Sequence, residues 1–125
     1  MAKASREKGK RGEREFAKAL TAAGFEARRG VQFAGGQDSP DVACQELVEL
    51  GYHIEVKRYA TCQMFSPAMV AAWVAQAQAD AGTRTPIIAH RWDRQREWWV
   101  CVCPPGRPYH WQPLSMWLLT LRGAP

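Results

Sequence analysis

Residues 52–59 read Tyr-His-Ile-Glu-Val-Lys-Arg-Tyr and follow Gly51. Tyr52, Ile54 and Val56 alternate with His53, Glu55 and Lys57, the period of a strand whose successive side chains point to opposite faces. One face is therefore apolar and has to be covered. The other carries an acid and a base about 6 to 7 Å apart along the strand. A chain containing this segment is committed to a sheet packed on one side, with charged groups held at fixed spacing on the other.

The neighbouring segments supply the covering layers. Residues 5–23 are rich in Lys, Arg, Glu and Ala, space Phe16, Leu20 and Ala23 for one helical face, and stop at Gly24. Residues 25–29 read as a short strand, VQFAGGQDSP as a loop by its Gly, Ser, Asp and Pro content, and residues 41–44 as a second extended piece. After a connector with Pro67, AMVAAWVAQAQADAG reads as a helix with Met69, Trp73 and Gln76 near one stripe and Val70, Val74 and Ala77 on an adjoining one. PIIAHRW and EWWVCVC are apolar strands around the charged turn DRQR, and PLSMWLLTL is a short helix starting at a proline. There is no internal repeat. The order predicts an α/β fold with a mixed sheet, in a single domain over residues 1–125.

Charge narrows the partners. The net charge is +5, and residues 1–30 hold nine Lys/Arg against four acids while the other 95 residues balance at eight of each. A basic end of this kind suits a polyanion, with nucleic acid ahead of membrane lipid. No apolar segment follows the basic N-terminal stretch and no run approaches a membrane span, so a cytoplasmic protein is expected. Cys44, Cys62, Cys101 and Cys103 form no CxxC pair, which favours buried reduced thiols over a zinc site.

Acid-x-Lys on a strand is commonplace, and standing alone it is a surface ion pair worth less than about 1 kcal/mol. Three additions change that reading. Asp41 directly follows Pro40, in a loop-to-strand context where a carboxylate can be aimed. The spacing from Asp41 to Glu55 allows a strand, a turn and a return strand. Glu13 lies one position to the side of the Phe16 and Leu20 stripe, where it can reach over the edge of the core. Two hard oxygen ligands, Asp41 and Glu55, with a backbone carbonyl and waters suit Mg²⁺. A cation there would polarise a scissile phosphate and lower the pKa of a bound water, which Lys57 would hold or help deprotonate.

KGKRGEREF (residues 8–16), GFEARRG, SPDVA and HIEVKRY together resemble the PD-(D/E)xK nuclease superfamily. Within it the likeness is to archaeal-type Holliday junction resolvases and small phage endonucleases, and it covers residues 8–59. The resemblance implies a restriction-endonuclease-like mixed β-sheet flanked by helices. It implies catalytic groups at Glu13, Asp41, Glu55 and Lys57, and Mg²⁺, with Mn²⁺ as a substitute, held by Asp41, Glu55, the Val56 carbonyl and Glu13. It further implies hydrolysis of DNA phosphodiester bonds to 5′-phosphate and 3′-hydroxyl ends, branched DNA as substrate in recombination, and a homodimer across a junction.

Lys8, Lys10, Arg11, Arg14, Arg28, Arg29, Ser39 and Arg58 are the expected DNA contacts. Adjacent arginines beside a glycine loop suit phosphate positioning rather than base reading. Gln76 is an accessory candidate, because small phage proteins of this type carry a helical glutamine before a D-A-G turn. Trp98 and Trp99 face opposite ways on their strand, one toward the core and the other available to a dimer interface. The alternatives are a binding module on the same fold without turnover, and a less selective phage or restriction-type endonuclease. Carboxylates repel DNA unless a metal sits between them, which disfavours the binding module.

Overall fold

The computed structural model describes residues 2–30 and 40–121, with side chains of the first helix described from residue 9. The expectations for Ser39 and for the Lys8 side chain fall outside that range. The elements are α1 (Ala2–Ala22), β1 (Arg28–Arg29), β2 (Val42–Ala43), α2 (Gln45–Glu49), β3 (Tyr52–Tyr59), α3 (Pro67–Ala81), β4 (Thr85–Trp92), β5 (Trp99–Val102), β6 (Trp111–Pro113) and α4 (Leu114–Leu121). The sheet runs β3-β4-β5-β6, parallel between β3 and β4 and antiparallel thereafter. β1 and β2 form a separate antiparallel pair. This is an α/β fold with a mixed sheet flanked by helices, as the resemblance implies. Among the described residues no helix is long and apolar enough to cross a membrane.

Alternation along β3 sorts its side chains between two cores. Ile54, with Tyr52 and Val56 beside it, joins Phe16 and Leu20 of α1, Ile87 and Ala89 of β4, and Trp117 and Leu118 of α4. On the other face α3 packs Val70, Trp73, Val74 and Ala77 against Ile88, Cys101 and Cys103. β4 is covered on both sides, and Pro86 to His90 are all buried. That explains why PIIA reads as an apolar run with no alternation. α3 begins where Ser66 Oγ accepts from the Met69 amide at 3.4 Å and Pro67 fills the first helical position.

Three expectations shift. The strand expected over residues 25–29 shrinks to two residues, because Phe25 turns inward to the core instead of pairing. A five-residue helix, α2, follows β2, held by the one buried side chain Leu47. The buried stripe of α3 is Val70, Trp73, Val74, Ala77 and Ala81, which leaves Gln76 exposed. Trp98 is buried edge-on against Phe16 at 5.0 Å, while Trp99 is half-buried on the opposite face.

α1 crosses β3 closely at Gly12, where a Cβ would collide with the Cβ of Arg58 and press on Val56. Gly9, one turn earlier, has open space around its Cα. Gly9→Ala should therefore stabilise the protein by about 0.5–1 kcal/mol through helix propensity alone. Gly12→Ala should destabilise it by about 1–3 kcal/mol despite the same propensity gain, because the added methyl overpacks the crossing. Urea unfolding of both variants checks the opposite signs.

Candidate active site on the edge strand

β3 is an edge strand of the sheet, and Asp41 sits along its open side. The Asp41 amide donates to the Ile54 carbonyl at 3.0 Å, and the Val56 amide donates to Asp41 Oδ2 at 2.8 Å. The acid thus acts as a one-residue strand partner. It is held from behind by Gly30, whose amide donates to the Asp41 carbonyl at 2.8 Å and whose Cα lies too close to the Pro40 carbonyl for a Cβ to fit. The β1–β2 pairing of Arg29 with Val42 fixes the same corner.

Glu55 and Asp41 are both buried, 8% and 9% exposed, and meet as like charges. Burial first, then the neighbouring Glu55, pushes Asp41 up to about 8 against its Val56 hydrogen bond. Glu13 belongs to the same cluster. Its Oε1 accepts from Arg29 Nε at 2.8 Å, yet burial raises its pKa, with Glu55 adding to the rise. α1 therefore reaches over the edge of the core, as its sequence position predicts.

Lys57 shares the α3-facing side of β3 with His53 and Glu55. Behind Lys57, His90 Nδ1 lies 2.7 Å from the Lys57 carbonyl and His90 Nε2 lies 3.0 Å from the Gln63 amide. A carbonyl only accepts and an amide only donates, so His90 is neutral with its proton on Nδ1. Burial lowers its pKa in the same sense. Tyr59, Trp73, Trp92 and Trp111 surround the imidazole at 5.1 to 6.2 Å between ring centroids.

Two neighbours of Glu55 were not singled out from sequence. His53 Nε2 lies 2.9 Å from Glu55 Oε1, with His53 1% exposed. Asp80 of α3 has its pKa raised by partial burial and then by Glu55, and it also feels the charges of His53 and Lys57. Strand alternation could have found His53, which is two residues before Glu55. Asp80 lies one turn after Gln76 in the same QAQAD stretch.

Among the expected DNA contacts, Lys10 is half-exposed, and Arg11, Arg14 and Arg28 are exposed. Arg29 is tied to Glu13. Arg58 is tied as well. Its side chain is 11% exposed and bonds Glu15 at 3.1 Å and Asp93 at 2.9 Å. Alternation places position 58 on the α1 face of β3, away from Glu55 and Lys57. A cleft of about 430 Å³ lined by Thr21, Glu26, Arg28, Cys44, Gln45 and Val48 contains none of the clustered acids.

Among the described residues, no group of three or more His, Cys, Asp or Glu side chains is arranged to hold a metal ion. The donor set nevertheless fits a hard divalent cation. Asp41 and Glu55 are oxygen donors forced together in a buried place, and one or two carboxylates with water and substrate oxygens are the usual protein share of a Mg²⁺ sphere.

Comparison with known proteins gives one family match. A family model described as phage putative PDDEXK endonuclease matches residues 4–105. The chain belongs to this family. The match extends past residues 8–59 through α3 and β4 and beyond the end of β5. Nuclease activity, with DNA as the partner, follows at that coarse level, and PD-(D/E)xK nucleases generally use divalent metals. No curated protein and no solved structure matches significantly.

The raised Asp41 pKa gives a signed prediction for the metal-free protein. Between an ordinary carboxyl value of 3.8 and the folded value of about 8, the folded state keeps a proton that the unfolded chain has released. This contribution to stability is present at low pH and is lost as pH rises through about 8. Asp41→Asn keeps an acceptor for Val56 and cannot ionise. In EDTA it should gain on the wild type as pH rises, by on the order of 1–3 kcal/mol at pH 9. Urea unfolding at pH 5 and pH 9 checks this; a pH-independent difference would contradict it.

Proposed function

We propose that this chain is a Mg²⁺-dependent DNA endonuclease that hydrolyses phosphodiester bonds at the open edge of β3, within a single nuclease domain spanning residues 1–125. The observation that carries the reading is the pairing of two buried acids, Asp41 and Glu55, on one edge strand with Lys57 two residues further along the same face. Buried like charges cost free energy that packing does not return, and a divalent cation between them removes the cost.

Asp41, Glu55 and the Val56 carbonyl would hold Mg²⁺, with Mn²⁺ as a substitute, and Glu13, steered by Arg29, would complete or orient the shell. When bound, the cation supplies Lewis-acid polarisation of the phosphoryl group and activation of water. Lys57 then holds the attacking water and stabilises charge building on phosphorus, from a backbone position fixed by His90. Lys8, Lys10, Arg11, Arg14, Arg28 and Ser39 position the phosphate backbone. Arg29 acts through Glu13, and Gln76 is left as an exposed helix position that approaching DNA can touch.

Among the described residues no element has the form of a base-reading helix, so selection by shape is the stronger reading, with branched DNA as substrate and a homodimer presenting two sites across a junction. Hydrolysis leaves a 5′-phosphate and a 3′-hydroxyl, in the cytoplasm.

The deciding assay compares a labelled four-way junction with matched linear duplex and single-stranded DNA, in Mg²⁺ or EDTA. Paired symmetric nicks confined to the junction are expected, abolished by EDTA and reduced at least about 100-fold in Asp41→Ala and Lys57→Ala. Cutting of every substrate would keep the nuclease and discard junction selectivity. Binding with no cutting under any condition would overturn the catalytic reading. In the same system Arg11→Ala and Arg14→Ala should weaken binding to all three DNAs alike, each lowering the salt dependence by about one phosphate contact.

A further inference from the structure

We propose that His53 is a positioning residue for Glu55, donating its Nε2–H to Glu55 Oε1 so that the carboxylate stays turned toward Asp41. The inference rests on the reading of Asp41 and Glu55 as the cation-holding pair.

Glu55 stands among acids. Asp41, Glu13 and Asp80 are all close enough for its charge to raise their pKa values. A glutamate has three rotatable side-chain bonds, so its carboxylate keeps one orientation only where a fixed partner holds it. The side chain is buried, with one oxygen 2.9 Å from a fully enclosed imidazole nitrogen. An ionised carboxylate only accepts, so against it His53 must carry its proton on Nε2.

The constraint is built into the strand. His53 and Glu55 are two residues apart on one face, and His53 lies opposite Pro86 in the parallel ladder with its ring enclosed. A leucine would fill much the same space without offering a donor. Hydrogen bonds to ligating side chains fix their orientation and typically change metal affinity 10- to 100-fold when lost.

The test measures Mn²⁺ binding by calorimetry on the full chain, beside urea unfolding of each variant. His53→Leu should weaken Mn²⁺ binding about 10- to 100-fold. His53→Gln, whose terminal amide lies near the place of Nε2, should recover most of the affinity. His53→Asn, whose amide lies nearer the place of Nδ1 and cannot reach Glu55, should not. If the leucine variant does not fold, the Gln and Asn pair decides, since both are polar and differ only in reach. In cleavage assays the metal concentration for half-maximal rate should rise more than the rate at saturating metal falls.

Wild-type Mn²⁺ affinity in folded His53→Leu or His53→Asn overturns the proposal, and so does equal loss in the Gln and Asn variants, which would reduce His53 to packing. Asp41→Ala separates the two levels. If it loses Mn²⁺ while the His53 variants keep it, only the positioning role fails; if it also keeps Mn²⁺, the cation site itself fails and this inference with it.

Discussion

The two hydrogen bonds between Asp41 and the open edge of β3 fix both the sheet and the site. An edge strand presents backbone donors and acceptors that are costly to bury unpaired. Here the Ile54 carbonyl and the Val56 amide are satisfied by the amide and carboxylate of a single residue. The acid cannot drift from Glu55 without reopening that edge, so the position of the proposed cation pair has the stability of the fold behind it. Gly30 serves the same end, because a side chain there would push the Pro40–Asp41 backbone off the strand.

The two faces of β3 divide the remaining work. Toward α1, the close crossing at Gly12 lets the Arg58 stem lie beneath the helix while its guanidinium joins Glu15 and Asp93. Arg91 approaches the same Glu15 at 3.6 Å and stacks over Trp98. Partly exposed ion pairs of this kind contribute little individually. Their value is geometric, since they set the register in which α1 delivers Glu13. Toward α3, His90 joins the Lys57 carbonyl to the loop after β3 from within an aromatic box, which holds the strand still where Lys57 projects.

Much of this was legible in the sequence because period two is hard to mimic. YHIEVKRY announces both the strand and which of its residues share a face, and Pro-Asp after a glycine loop announces an acid that can be aimed. The same parity, applied one residue further, places Arg58 on the α1 face. β1 and β2 are two residues each, too short for any period, and their pairing is fixed by Gly30 and Asp41 rather than by propensity. α2 carries one buried leucine in five residues, below what a helical pattern can signal. Asp80 was hidden for another reason. Its role depends on where α3 lies over β3, a tertiary fact that spacing along one helix does not contain.

Charge accounting around Glu55 explains why the arrangement calls for a cation from outside the chain. Arg29 neutralises Glu13 through a direct bond, and Arg58 is committed to Glu15 and Asp93 on the opposite face. Lys57 shares a face with Glu55, yet Asp41 remains pushed up by burial and by Glu55. Asp41 and Glu55 are thus two buried acids held side by side at the β3 edge. Two buried oxygen donors so placed suit the small divalent ion proposed for this edge. Because Asp41 must give up its proton to bind such an ion, loading is coupled to pH and to the stability of the β3 edge together.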